Sequence, residues 1–131
     1  IWDRPRGYAE LRRVVASGGR AVIATFDPTH FEGYWLNELF PSLEAIDRAR
    51  FPAAAELETG LAAAGFEPRL IRLDHPAEVT RDEALERIRN RYISTLELLE
   101  EDEYLAGLER AEAELPERIA YEVRWLVAVG S

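Results

Sequence analysis

The residues of this sequence best suited to chemistry follow its first continuous apolar run. Residues 21–24 are apolar without a break, and Asp27 and His30 come shortly after them. A carboxylate or an imidazole can accept a proton from a substrate, so both side chains are candidate catalytic bases. Aromatic residues around these two are candidate walls of a small-molecule pocket: Phe26, Phe31, Tyr34 and Trp35.

Each of these residues also has an ordinary structural interpretation. Aspartate before proline commonly forms a turn, which would make Asp27 a structural residue. His30 could cap a helix, and the aromatic side chains could belong to the hydrophobic core. The residues alone leave both interpretations open.

The apolar pattern predicts the elements that would hold these side chains. Residues 20–26 are expected to form a strand covered on both faces, because their apolar residues do not alternate with polar ones. Ligands of open α/β sheets bind beyond the carboxyl ends of parallel strands, which is where Asp27 would lie. Helices are predicted at about residues 6–16, 29–39, 42–48 and 53–64, and a second strand at 69–73, closed by His75 and Pro76.

The second half of the chain opens with a helix-start signal. Thr80 and Glu83 have the spacing of a capping box, in which each side chain binds a backbone N–H at the helix start. The apolar stripe of this helix is expected to include Leu85, Ile88, Tyr92, Leu96 and Leu99. The remaining patterns predict an exposed acidic turn at 100–103, a helix at about 102–115 with Leu105 on its apolar face, and a strand at 121–129. This order predicts an α/β fold with a right-handed parallel crossover and a last strand that could lie antiparallel.

The composition disfavours several kinds of site. The chain has 131 residues, of which 47% are hydrophobic, and this suits one compact domain. It has no cysteine and only two histidines, at positions 30 and 75, so a zinc or iron site is not expected. The formal net charge of −9 disfavours nucleic-acid binding. No apolar run approaches the roughly 20 residues that span a bilayer, so a soluble, cytoplasmic protein without a membrane partner is expected.

Three stretches carry a resemblance to a known family: YAELRRVVASGGRAVIATFDP at 8–28, LETGLAAAGFEPRLIRL at 57–73 and YEVRWLVAVGS at 121–131. In this order they resemble the C-terminal half of a class I S-adenosylmethionine-dependent methyltransferase, from the helix before its fifth strand to its antiparallel seventh strand. Ala16 and Ser17 stand where that family commonly has arginine or lysine and then proline.

The resemblance implies a partial Rossmann-like methyltransferase sheet, made of the last three strands and mixed in direction, with a helical lid or insert at about 78–118. It implies S-adenosylmethionine as the cofactor, bound mainly by an N-terminal half that these residues lack, because no glycine-rich turn follows a predicted strand here. No residue is therefore assigned to the cofactor, and the chain alone is expected to be inactive.

For a methyl transfer to a small-molecule acceptor, the enzyme chiefly positions the acceptor and excludes water. The resemblance then implies that His30 or Asp27 takes the acceptor proton. The implied pocket walls are Phe26, Phe31, Tyr34, Trp35 and Tyr92. Arg89, on the same predicted helix as Tyr92, is a further candidate for the roof of the pocket.

The chain begins with Ile1 and contains no methionine, which favours a piece of a longer protein. In that case the strand at 20–26 would be an interior strand with one edge left open. The expected partner is the missing half or, edge to edge, a second copy of the chain.

Two other functions are compatible with the residues. The chain could be a non-enzymatic interaction module that buries a partner protein through its aromatic cluster and helical pair. It could also belong to another doubly wound enzyme, such as a nicotinamide-dependent oxidoreductase, which would likewise need a glycine-rich turn.

Overall fold

The computed structural model describes residues 3–131 and groups them into two compact units. The described part of the first unit comprises residues 3–27, 52–74 and 124–131, and the second comprises 28–51 and 75–123. The helices are α1 (Arg4–Val14), α2 (Thr29–Glu32), α3 (Leu43–Arg50), α4 (Ala54–Ala63), α5 (Arg81–Arg89) and α6 (Glu101–Glu114), with short 3₁₀ helices at Trp35–Glu38 and Ser94–Leu98. The strands are β1 (Ala21–Phe26), β2 (Pro68–Thr80) and β3 (Arg118–Gly130).

The three strands form one sheet with β3 in the middle, in the order β1–β3–β2. β3 is antiparallel to β1, with Ala21 opposite Gly130 and Phe26 opposite Trp125. Glu67 and Ser131 exchange two backbone hydrogen bonds of 3.1 and 3.2 Å, which is the pattern of an antiparallel pair, so β3 is antiparallel to β2 as well. β1 and β2 therefore run in the same direction. The predicted α/β class, with three strands and an antiparallel last strand, is confirmed.

The first unit buries one face of its strands under α1 and α4. Its core consists of Tyr8, Ala21, Leu57, Leu61, Phe66, Leu126 and Ala128. Val22, whose side chain points to the opposite face from that of Ala21, is 65% exposed. The expectation that β1 is covered on both faces is therefore wrong for the described residues, because the helices of this unit cover only one of them.

β2 runs further than predicted. It continues through His75 and Pro76 to Thr80, so the prediction that these two residues close the strand is wrong. An edge strand tolerates proline when the proline nitrogen faces away from the neighbouring strand. Just after β2, the backbone N–H of Arg81 donates to the carbonyl oxygen of Glu117 at 2.9 Å. The backbone N–H groups of successive residues in a strand point alternately to its two sides. Arg81 faces β3, so the nitrogen of Pro76, an odd number of positions away, faces the outer edge.

The second unit has its own hydrophobic core around α3, α5 and α6. Its most deeply buried side chains are Leu36, Phe40, Leu43, Ile88, Leu96 and Ala111. Gly107 of α6 allows the ring of Phe40 to approach the helix backbone, because a Cβ at position 107 would lie 2.2 Å from the Cε1 atom of that ring. The single helix predicted at 29–39 is instead α2 and a 3₁₀ helix, separated at Gly33.

α5 begins as predicted and ends earlier. The capping box is present: the Glu83 N–H donates to the Thr80 hydroxyl at 3.2 Å, and the Thr80 N–H donates to the Glu83 carboxylate at 3.0 Å. Arg91 has a positive φ of 46°, which interrupts the helix before Tyr92. The prediction that Tyr92 continues the stripe of this helix is therefore wrong, and Tyr92 lies in the segment that follows.

Removing the capping hydroxyl tests how much this helix start contributes to stability. Thr80→Ala is expected to lower the free energy of unfolding by about 1 kcal/mol, because one amide at the helix start loses its acceptor. Urea unfolding of the purified protein measures the change. Thr80→Ser keeps the hydroxyl and should stay close to wild type. Equal losses in both variants would contradict a capping role.

Most of the acidic run predicted as a turn at 100–103 lies in a helix. Glu101, Asp102 and Glu103 form the first turn of α6 and not a separate turn. Carboxylates at a helix start are favourable because they face the positive end of the helix dipole. The predicted apolar face of α6 is confirmed in part: Ala111 is buried and Leu108 and Leu115 pack against the core, whereas Leu105 is 52% exposed. The buried face also carries Tyr104 and Gly107.

Candidate functional site

The carboxyl end of β1 carries two of the predicted site residues, both in the first unit. Phe26 stacks on Trp125 of β3, with ring centroids 4.7 Å apart. The Asp27 carboxylate is buried and accepts a hydrogen bond from Nε of Arg72 at 2.6 Å. This ion pair fixes the carboxylate at the end of the strand and gives Asp27 a structural role alongside any role in chemistry.

His30 and Phe31 are placed in the second unit by the single turn of α2. Both side chains are buried. The imidazole of His30 lies against Tyr34, with ring centroids 5.0 Å apart. The ring of Phe31 packs on that of Phe51, with centroids 5.1 Å apart. The candidate base is therefore held between aromatic rings, in surroundings that exclude water.

Three tyrosines, called here the tyrosine cluster, meet beside His30: Tyr34, Tyr92 and Tyr121. The hydroxyl groups of Tyr34 and Tyr92 share a hydrogen bond, and the rings of Tyr34 and Tyr121 are 6.1 Å apart. Burial raises the pKa of Tyr34, and burial also raises the pKa of Tyr92. Both hydroxyl groups therefore stay protonated at neutral pH and can donate hydrogen bonds.

Arg87 of α5 brings a positive charge to the tyrosine cluster. The guanidinium carbon lies 5.6 Å from the centre of the Tyr92 ring. Burial lowers the pKa of Arg87, but its interactions with Tyr121 and other neighbours raise the pKa overall. Arg89, predicted as a roof residue, instead pairs with Glu112 at 3.1 Å. Arg87, and not Arg89, is thus the arginine of α5 that contacts Tyr92.

Trp35 lies next to Tyr34 at the start of a 3₁₀ helix, with ring centroids 6.0 Å apart. It also packs against Val79, Ala84 and Ile119. Its indole Nε1 is buried and has no hydrogen-bond partner among residues 3–131. The indole N–H is therefore a further donor beside the tyrosine cluster.

A buried carboxylate lies on the α3 side of the second unit. Asp47 is 3% exposed and accepts a hydrogen bond from the Thr95 hydroxyl at 2.5 Å. The Thr95 oxygen in turn accepts one from Arg50 at 2.9 Å. Burial raises the pKa of Asp47, and the bond from Thr95 opposes that rise only in part. Ionisation of Asp47 therefore destabilises the folded protein.

The raised pKa of Asp47 predicts that the difference in stability between wild type and the Asp47→Asn variant depends on pH. The folded-state pKa lies above the ordinary value of 3.8, so the stability that protonation contributes is complete below that value and is lost as the pH rises through the raised pKa. The stability of wild type relative to Asp47→Asn should therefore fall as the pH rises from about 3.5 to about 7. Urea unfolding at several pH values measures this. A relative stability that rises with pH would contradict the shift.

The structure thus brings five of the predicted residues into one unit: His30, Phe31, Tyr34, Trp35 and Tyr92. Phe26 and Asp27 belong to the other unit. Sequence reasoning missed Tyr121 and Arg87 as members of the site. Tyr121 appeared only as one residue of an alternating strand, and Arg87 resembled any other charged residue of an amphipathic helix.

The other candidate sites contain fewer side chains suited to catalysis or binding. A groove of about 630 Å³ lies between α1 and α4, mostly lined by small apolar residues, and contains none of the predicted site residues. Within residues 3–131, no group of three or more His, Asp or Glu side chains is placed to hold a metal ion. The same residues include no helix with the length and apolar character needed to cross a membrane.

The chain matches no protein-family model and no curated protein. Among solved structures it is similar to a protein of Anabaena variabilis ATCC 29413 that is described as a "putative methyltransferase from antibiotic biosynthesis pathway". The TM-score is 0.71 and the sequence identity 21%, over 94% of this chain. The fold is methyltransferase-like. The chain spans only 59% of the length of the Anabaena protein.

A methyltransferase-like fold suggests S-adenosylmethionine as the cofactor. The described residues, however, lack the turn that would hold most of that molecule. A dinucleotide- or nucleoside-binding sheet holds its ligand on a glycine-rich turn between a strand and a helix. Among residues 3–131, β1 is followed by Asp27 and Pro28, and β2 leads directly into α5 through Thr80. Neither connection contains glycine, so these residues supply no such turn.

Proposed function

We propose that this chain is the acceptor-binding part of an S-adenosylmethionine-dependent methyltransferase that acts on a small molecule. The observation that carries the proposal is the sheet order β1–β3–β2 with an antiparallel central strand, together with the similarity to the Anabaena protein over 94% of the chain. The cofactor would be held mainly by residues outside those described here.

In this function the chain's own residues bind and orient the acceptor. Phe31, Tyr34 and Trp35 supply flat apolar walls, and the buried position of His30 between them keeps water away from an imidazole that can take the acceptor proton. Asp27 is the weaker candidate for the base, because its carboxylate already accepts a hydrogen bond from Arg72.

The open edge of β1 supports a further part of the proposal, namely that another strand pairs there. β1 lies at an edge of the described sheet, and its exposed Val22 offers apolar surface beside unpaired backbone groups. The partner strand would come from the cofactor-binding half or from a second copy of the chain.

Titration calorimetry with S-adenosylmethionine tests the proposed function. The complete gene product is expected to bind the cofactor, and residues 1–131 expressed alone are expected to bind it much more weakly. Absence of binding by the complete gene product at millimolar cofactor would overturn the proposal. In that case a non-enzymatic interaction module would become the better hypothesis.

A further inference from the structure

The polar side of the tyrosine cluster contains hydrogen-bond donors that its own contacts do not use. One hydroxyl hydrogen is used in the bond between Tyr34 and Tyr92, which leaves the hydrogen of the other hydroxyl group available. Tyr121, whose ring lies 6.1 Å from that of Tyr34, adds a third hydroxyl group that can donate. The indole N–H of Trp35 adds a buried donor without a partner among residues 3–131. Unused donors at one place favour a ligand that supplies acceptors.

The positive charge of Arg87 also favours a ligand that supplies acceptors, and in particular an anion. Within the described residues Arg87 forms no salt bridge, whereas Arg89 on the same helix pairs with Glu112 and Arg91 pairs with Glu101. Two carboxylates on nearby elements lie close enough to influence the cluster electrostatically: Asp47 influences Tyr34 and Tyr92, and Glu83 influences Arg87. Asp47 already accepts a hydrogen bond from the Thr95 hydroxyl, and Glu83 is engaged in the capping box of α5. The guanidinium of Arg87 therefore remains available for an anionic oxygen.

The cluster is also accessible to a small molecule. Tyr92 is 39% exposed and Arg87 is half-buried, whereas His30 is buried behind Tyr34. An anion that reaches Arg87 would thus lie near the surface, and the body of the same molecule would extend along the aromatic rings towards His30.

We propose that Arg87 and the hydroxyl groups of the tyrosine cluster bind a carboxylate carried by the methyl acceptor. This inference rests on the proposed function and adds the substrate class: a small carboxylic acid with a flat apolar body. A carboxylate supplies acceptor lone pairs for these donors, and arginine binds it with two parallel hydrogen bonds. The aromatic rings would contact the apolar body.

Binding of benzoate, compared with benzamide, tests this site without cofactor or turnover. NMR titration of the purified protein is expected to show saturable benzoate binding and at least about tenfold weaker binding of benzamide, which has the same ring but no negative charge. Equal binding of the two probes would overturn the proposal, as would absence of benzoate binding.

Substitutions locate the binding to this cluster. Arg87→Gln is expected to weaken benzoate binding at least about tenfold, and Tyr121→Phe by a smaller factor, since it removes one hydroxyl group and keeps the ring. Arg87→Lys keeps the charge without the fork of donors and should fall between wild type and Arg87→Gln. Arg89→Gln is the matched control from the same helix and should bind like wild type. A loss with Arg89→Gln equal to that with Arg87→Gln would overturn the assignment.

The outcome separates this inference from the proposed function. Benzoate binding is measured in the absence of S-adenosylmethionine, and cofactor binding is measured in the absence of benzoate. A protein that binds the cofactor and methylates an acceptor but ignores benzoate contradicts only the carboxylate site. A protein that binds benzoate through Arg87 but no cofactor contradicts only the methyltransferase proposal.

Discussion

Replacing Gly107 with alanine is expected to lower the free energy of unfolding by about 3 kcal/mol or more, although alanine is the better helix former by about 1 kcal/mol. The reason is the packing of α6 in the second unit. A Cβ at position 107 would lie 2.2 Å from the Phe40 ring and 2.7 Å from the backbone oxygen of Leu39. Phe40 is fully buried, so the ring has no free space to move into.

Urea or thermal unfolding measures this loss, and Gly33→Ala is its control. Gly33 lies in the same unit with a negative φ of −117°, and an added Cβ there meets no atom within 4 Å. Its substitution should change stability by less than about 1 kcal/mol. If Gly107→Ala were as stable as wild type or more stable, helix propensity would outweigh packing and the described contact with Phe40 would be wrong.

If the proposed methyl transfer is correct, replacing His30 with glutamine is expected to lower its kcat about 100-fold or more, with a much smaller change in KM. This follows from the proposed role of His30 as the base, since a positioned general base typically contributes about 10²–10⁴ in rate. Glutamine keeps a polar side chain of similar length but cannot accept the proton at neutral pH. Steady-state kinetics with a carboxylic acid acceptor measures the effect.

His75→Gln is the matched control, because His75 is the other histidine of the chain and is exposed on β2. It should keep the wild-type kcat. Circular dichroism and thermal unfolding of both variants separate a loss of chemistry from a loss of folding, since His30 is buried. A folded His30→Gln protein with the wild-type kcat would remove His30 from the mechanism and return Asp27 as the candidate base.

The sequence predicted the type and order of the elements well where a local signal was present. The capping box at Thr80 and Glu83 needs only residues three positions apart, and it is confirmed atom by atom. The end of α5 could not be predicted in this way. Arg91 takes a positive φ without being glycine, and its side chain pairs with Glu101, ten positions away, which no local pattern indicates.

The same limit applies to β2 and to the candidate site. Proline in the middle of a strand is usually a reason to end it, and only the position of β2 at the edge of the sheet makes Pro76 acceptable. Tyr34 and Tyr92 are 58 positions apart and Tyr121 lies on a strand, so no spacing in the sequence links them. The sequence identified aromatic residues after β1 but could not pair them with the arginine that gives the cluster its charge.

The position of Pro76 has a consequence for how the sheet can grow. An added strand needs backbone N–H donors along the edge it joins, and at Pro76 the outward-facing donor is missing. β1 contains no proline between Ala21 and Phe26, so its outer edge presents an uninterrupted row of donors and acceptors. A strand added to this sheet would therefore find a complete row of backbone donors and acceptors beyond β1 and an interrupted row beyond β2.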